Sequence, residues 1–61
     1  MNKKYHVYWE CIYSGVGDTI GYYNTYQAAE QAYYSAIKEN PHVHYYLRGG
    51  NEDKDYDPDH D

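Results

Sequence analysis

The sequence predicts an α+β domain of ββαβ order, followed by a disordered acidic tail. Three observations carry this. Apolar residues alternate with a period of two over residues 5–13 and 42–48, they recur at spacings of three and four between residues 26 and 40, and the charge balance changes abruptly at Gly49.

The run Tyr5 to Tyr13 places Tyr5, Val7, Trp9, Cys11 and Tyr13 on one face of a strand. His6, Tyr8, Glu10 and Ile12 fall on the other. Ser14-Gly15-Val16-Gly17-Asp18 reads as a hairpin loop, because glycine and aspartate adopt the positive φ that tight hairpins need. Thr19 to Asn24 is β-branched and aromatic and reads as the returning strand. Thr25 is a candidate helix N-cap, and Asn24 with Gln27 three residues on is the alternative. The following helix places Ala29, Ala32, Tyr33, Ala36 and Ile37 on one stripe. Lys38 suits the helix C-terminus, and Asn40-Pro41 stops the helix. In the last strand Val43, Tyr45 and Leu47 share one face, and His42, His44, Tyr46 and Arg48 share the other.

A helix crossing over the sheet returns the chain so that the third strand lies beside the first and antiparallel to it. The expected result is a three-stranded antiparallel sheet of order 2-1-3 with one helix on one face. The domain is expected to span residues 1–48 and the tail residues 49–61. Residues up to Arg48 carry four basic and four acidic groups, whereas the remainder carries six acids against Lys54 and therefore the whole net charge of -5. That tail has no aliphatic residue and is expected to remain unfolded, hinged at Gly49-Gly50.

At 61 residues there is room for one small domain. A single cysteine excludes an internal disulfide framework. No run approaches the roughly 20 apolar residues that span a bilayer, and Asn2-Lys3-Lys4-Tyr5 does not lead into the apolar stretch of a signal peptide. A reducing cytoplasm is the expected compartment.

The aromatic composition is the most unusual property of the chain: eleven tyrosines, one tryptophan and no phenylalanine. Tyrosine combines an apolar ring with a polar tip and is enriched at protein interfaces. One helix cannot cover both faces of a sheet. Alternation therefore leaves His6, Tyr8, Glu10, Ile12, His44, Tyr46, Arg48 and one of Tyr22 and Tyr23 on an open face.

The residue types present limit the chemistry. Cys11, Ser14 and Ser35 lack the base and orienting group that a nucleophile needs, so no enzyme is expected. Cys11 reads as a small buried apolar residue. His42 and His44, with His6 on a neighbouring strand, form a weak zinc pattern. Asp53, Asp55 and Asp57 begin like a calcium loop, but Pro58 stands where glycine is needed. No metal and no cofactor is expected. Tyr8, Tyr46 and Arg48 could stack single-stranded bases, but a neutral domain with an acidic tail repels phosphate. Protein binding remains, with Tyr8, Tyr46, Arg48, His6 and His44 on the face and Asp55, Asp57 and Asp59 of the tail meeting a basic surface. The alternatives are a single-stranded nucleic-acid binder using the tyrosine face and a homodimer burying its open faces.

The ββαβ order within residues 3–48, opening on Lys3-Lys4-Tyr5 and with a helix opened by Thr25, resembles small bacteriophage proteins that disable host enzymes. Inhibitors of host RNA polymerase and several anti-CRISPR proteins are of this kind. The resemblance is one of architecture. It implies a stoichiometric, cofactor-free inhibitor that blocks a host enzyme or defence complex by occupying its surface.

Overall fold

The computed structural model describes residues 4–11, 13–50 and 53–58. Five elements follow in order: β1 (Tyr5–Cys11), β2 (Val16–Tyr23), α1 (Tyr26–Glu39), β3 (His44–Arg48) and β4 (Lys54–Tyr56). All pairings are antiparallel, and the sheet order is β2-β1-β3-β4. The α+β class and the 2-1-3 arrangement of the first three strands are as expected. The strand count is corrected from three to four.

The fourth strand comes from the acidic segment, so residues 54–56 are not disordered as the composition suggested. The expectation rested on the absence of aliphatic residues and overlooked Tyr56. Lys54-Asp55-Tyr56 alternates, and Tyr56 pairs with Tyr45 and packs against the core. Gly49 and Gly50, with φ of 142° and 60°, make the turn that brings the segment back. A side chain at Gly49 would collide with the Lys4 carbonyl oxygen, so this turn also needs glycine for a close approach. The Gly49 amide donates to Asp53 Oδ1 at 3.1 Å, which holds the loop closed. Closing a hairpin over so short a loop costs little chain entropy.

The first hairpin is tighter than the sequence suggested. Only Gly15 adopts positive φ, at 73°, and its amide donates to the Cys11 carbonyl at 2.8 Å. Gly17 lies inside β2. The β1–β2 register shifts between Val7 and Tyr8: Val7 pairs with Gly21 and Tyr8 with Thr19, leaving Ile20 as a bulge. Helix α1 starts at Thr25, whose Oγ1 accepts from the Ala28 amide at 3.2 Å. At its other end the Asn40 amide donates to the Ala36 carbonyl, and Pro41 follows.

Val7, Ala29, Tyr33, Tyr45 and Leu47 form the buried core, with Val7 and Leu47 fully enclosed and paired across β1 and β3. Tyr5, Trp9, Tyr23, Tyr26, Ala36, Ile37, Val43 and Tyr56 pack around it. Ala32, placed on the helix stripe by its spacing, is only half-buried. Six of the eleven tyrosines thus serve the core side of the sheet. Their hydroxyls explain why phenylalanine does not replace all of them. Tyr45 donates to the Asn40 carbonyl at 2.9 Å and Tyr56 to the Pro41 carbonyl at 3.0 Å. Two paired strands thereby tie down the C-cap carbonyl of α1 and the carbonyl that follows it.

Burial pushes the Tyr33 phenol up to about 12, with the neighbouring Tyr34 adding to the effect. The charged form is the disfavoured one, so the sign is fixed. Stability is unaffected below the ordinary tyrosine value of 10.0 and falls as pH rises from there towards about 12, where the unfolded chain alone ionises. Thermal melts across this range should show the loss, and Tyr33→Phe should flatten part of it. A wild-type melting temperature that stays constant through the range would show that Tyr33 ionises freely in the folded chain.

Candidate functional site

The face of the sheet away from α1 has no covering element among the described residues. Cross-strand pairing brings its side chains into rows. His6 lies opposite Arg48, Tyr8 opposite Tyr46 and Glu10 opposite His44. On the other flank His6 lies opposite Tyr22 and Tyr8 opposite Thr19. The bulge at Ile20 decides the choice between the two candidate tyrosines of β2: Tyr22 lies on the open face and is 53% exposed, and Tyr23 packs on the core.

These rows build a continuous stack. Tyr22 and His6 stack at 4.4 Å with their planes 10° apart, His6 meets Tyr8 at 4.7 Å, and Tyr8 stacks on Tyr46 at 5.0 Å. The Arg48 guanidinium closes the end, 5.3 Å over the Tyr46 ring. Offset stacks of this spacing stabilise by about 0.5–1.5 kcal/mol per pair beyond their burial. The row is therefore preorganised, and its side chains lose little freedom when a partner docks. His6 Nε2 and Thr19 Oγ1 share a hydrogen bond of 2.8 Å, which holds the imidazole in the stack. The Tyr46 hydroxyl donates to Glu10 Oε1 at 3.4 Å. Desolvation first, and the charge of Glu10 second, raise the Tyr46 phenol above its usual range.

The remaining expected site residues divide by role. Arg48 ion-pairs with Asp55, and its Nη1 also donates to the Leu47 and Lys54 carbonyls at 3.2 Å each. Its guanidinium bridges β3 and β4, and the Asp55 hydrogen bond raises its pKa further. Arg48 and Asp55 thus neutralise each other at the far end of the stack. His44 is not an exposed face residue as alternation suggested. It is 8% exposed, and its Nδ1 lies 3.6 Å from Asp57 Oδ1. Asp59 and Ile12 lie outside the described residues.

His42 and His44 do not share a direction, because β3 begins only at His44 and His42 sits exposed in the preceding turn. Asp53, Asp55 and Asp57 face three different partners: the Gly49 amide, Arg48 and His44. Among the described residues no group of three or more histidine, cysteine, aspartate or glutamate side chains converges on a metal position. Cys11 is half-buried at the end of β1 rather than enclosed in the core. Hydrogen bonds from the Ser14 side chain, and then from the Ser14 and Tyr13 backbone, lower its thiol pKa. No helix of the described residues is long and apolar enough to cross a membrane.

The chain matches no protein-family model, no curated protein and no solved structure. The functional reading therefore rests on the geometry of the chain itself.

Proposed function

We propose that the chain is a non-enzymatic protein-binding module that occupies a partner's surface with its open, tyrosine-lined sheet face. The carrying observation is the stack Tyr22–His6–Tyr8–Tyr46. Rings stacked on one another offer a partner their edges and hydroxyls rather than their faces. That suits the mixed apolar and hydrogen-bonding contacts of a protein interface. It suits nucleic acid poorly, because bases need exposed ring faces and phosphates need positive charge. Among the described residues the lysine or arginine of this face, Arg48, is already paired with Asp55, while Glu10 stands towards its other end. The partner surface is accordingly basic, and two like-charged copies of this face are less well matched than a basic partner.

The mode of action is the one implied by the resemblance to phage inhibitors. A protein of phage or mobile-element origin blocks a host enzyme or defence complex in the cytoplasm by stoichiometric occupation, with no cofactor.

The test is capture from bacterial lysate with tagged full-length chain beside Tyr8→Ala/Tyr46→Ala and Tyr34→Ala variants. The expected result is a protein retained by the wild type and by Tyr34→Ala, which alters the helix surface, and lost from the double variant. Equal retention by all three would move the site to another surface, such as the β2 edge around Ile20. Salt-sensitive binding of a single-stranded oligonucleotide, lost in the double variant, would favour the nucleic-acid reading instead.

A further inference from the structure

On the open face Gly17 lies opposite Glu10, and Thr19 lies opposite Tyr8. Glycine contributes no side chain, so the row opposite Glu10 is empty. The result is a depression of about 350 Å³ over Gly17, bordered by His6, Tyr8, Trp9, Glu10, Asp18 and Thr19. The hollow is built into the strand register. A Cβ on Gly17 would lie 2.8 Å from the Trp9 carbonyl oxygen, so the position resists any larger residue.

We infer that this hollow receives a guanidinium group, the head of an arginine side chain presented by the protein partner. The inference rests on the protein-binding reading of the open face and names the chemistry that the face selects. The size lies at the lower end of ligand pockets, with room for a side-chain head and a few waters rather than a cofactor. Its charged lining is acidic: Glu10 on the open face, and Asp18, which pairs with Trp9, on the edge strand β2, with the Thr19 hydroxyl adding an acceptor. Asp18 Oδ1 accepts from the Thr19 amide at 2.8 Å, which holds that carboxylate along β2. A guanidinium carries five donors in a planar fork and matches several acceptors at once, whereas an ammonium is a point charge. A phosphate or carboxylate would face the Glu10 carboxylate, with the charge of Asp18 on the adjoining strand, and be repelled.

The placed cations of the chain itself lie elsewhere. Arg48 is held by Asp55, Lys54 lies over the Tyr34 ring on the helix side, Lys4 lies over Tyr5, and Lys38 sits in the last turn of α1. Among the described residues no lysine or arginine is paired with Glu10 or Asp18, so the hollow presents negative charge beside the preorganised stack. Its position explains how one face can combine aromatic edges for area with a single charged socket for register.

The experiment is a proton–nitrogen NMR titration of the full chain with N-acetyl-arginine amide, N-acetyl-lysine amide and N-acetyl-glutamate amide. Saturable shifts are expected at the amides of Glu10, Gly17 and Thr19 with the arginine probe, weaker ones with lysine and none with glutamate. Glu10→Gln, an exposed substitution whose folding the same spectrum reports, should weaken the arginine probe about three- to tenfold. Arginine shifts confined to Asp53–Asp57, equal binding of the glutamate probe, or unchanged affinity in Glu10→Gln would each overturn the assignment. Failure here, with partner capture still dependent on Tyr8 and Tyr46, removes the guanidinium socket and leaves the binding face. Arginine binding at the hollow without such dependence removes the binding face instead.

Discussion

A chain ending at Arg48 is expected to lose cooperative folding. Truncation removes Tyr56 from the core rim and its hydrogen bond to the Pro41 carbonyl. It strips the β4 pairing from β3, and it leaves the Arg48 guanidinium without Asp55. Deleting a buried aromatic side chain costs about 3–5 kcal/mol, and less where the ring is half-buried as here. Each hydrogen bond lost adds about 1 kcal/mol. A domain of this size holds only roughly 3–9 kcal/mol in total. The sum of these losses is comparable with the whole stability. Tyr56→Ala in the full chain isolates the largest part, and a melting temperature lower by roughly 10 °C or more is expected. Circular dichroism melts of both variants decide the matter. A truncated chain that melts cooperatively at the wild-type temperature would place the domain boundary at Arg48, as the sequence predicts, and make β4 an appendage.

Adjacent residues of β3 should respond in opposite ways. Leu47 is fully enclosed against Val7, so Leu47→Ala leaves a cavity and should cost about 2–5 kcal/mol, enough to unfold much of the population. Tyr46 stands on the other face of the same strand, stacked on Tyr8 and bonded to Glu10. Tyr46→Ala should lower the melting temperature by only a few degrees, since it loses one stacking pair, the Arg48 contact on its ring and one weak hydrogen bond, all on the exposed face. Its expected effect is on partner binding, at about 2 kcal/mol or near thirtyfold in affinity. Melting and binding measured on the two variants separate core from face. Equal destabilisation by both would show that the open face is covered in solution, and that Tyr46 is a core residue.

The alternation of β1 and β3 was legible because a half-buried strand writes its two faces into every second residue. Val7, Tyr45 and Leu47 inward and Tyr8, Tyr46 and Arg48 outward required no knowledge of the partner strands. The helix start at Thr25 was legible for an equally local reason, a hydroxyl within reach of an unpaired amide. Tyr56 was harder to place. A three-residue strand between aspartates carries almost no periodic signal, and its value comes from pairing with Tyr45. The burial of His44 has no local signal for the same reason, because it lies close to Asp57, just beyond that strand.

By itself, then, the sequence determined the α+β class, the order of the first three strands and the existence of an uncovered tyrosine-bearing face, all consequences of local periodicity. Only the tertiary structure decided that the acidic segment adds a strand, that Tyr22 rather than Tyr23 joins the stack, and that Arg48 serves the β3–β4 join. Each of these depends on register. The Ile20 bulge exchanges the faces of β2 beyond it, and the β3–β4 register sets Asp55 beside Arg48. The hollow over Gly17 has the same origin, since a missing side chain becomes a site only when the opposite strand places Glu10 and Tyr8 around it. Register is a long-range property, fixed by the summed pairing of two strands, and no window of residues along one strand contains it.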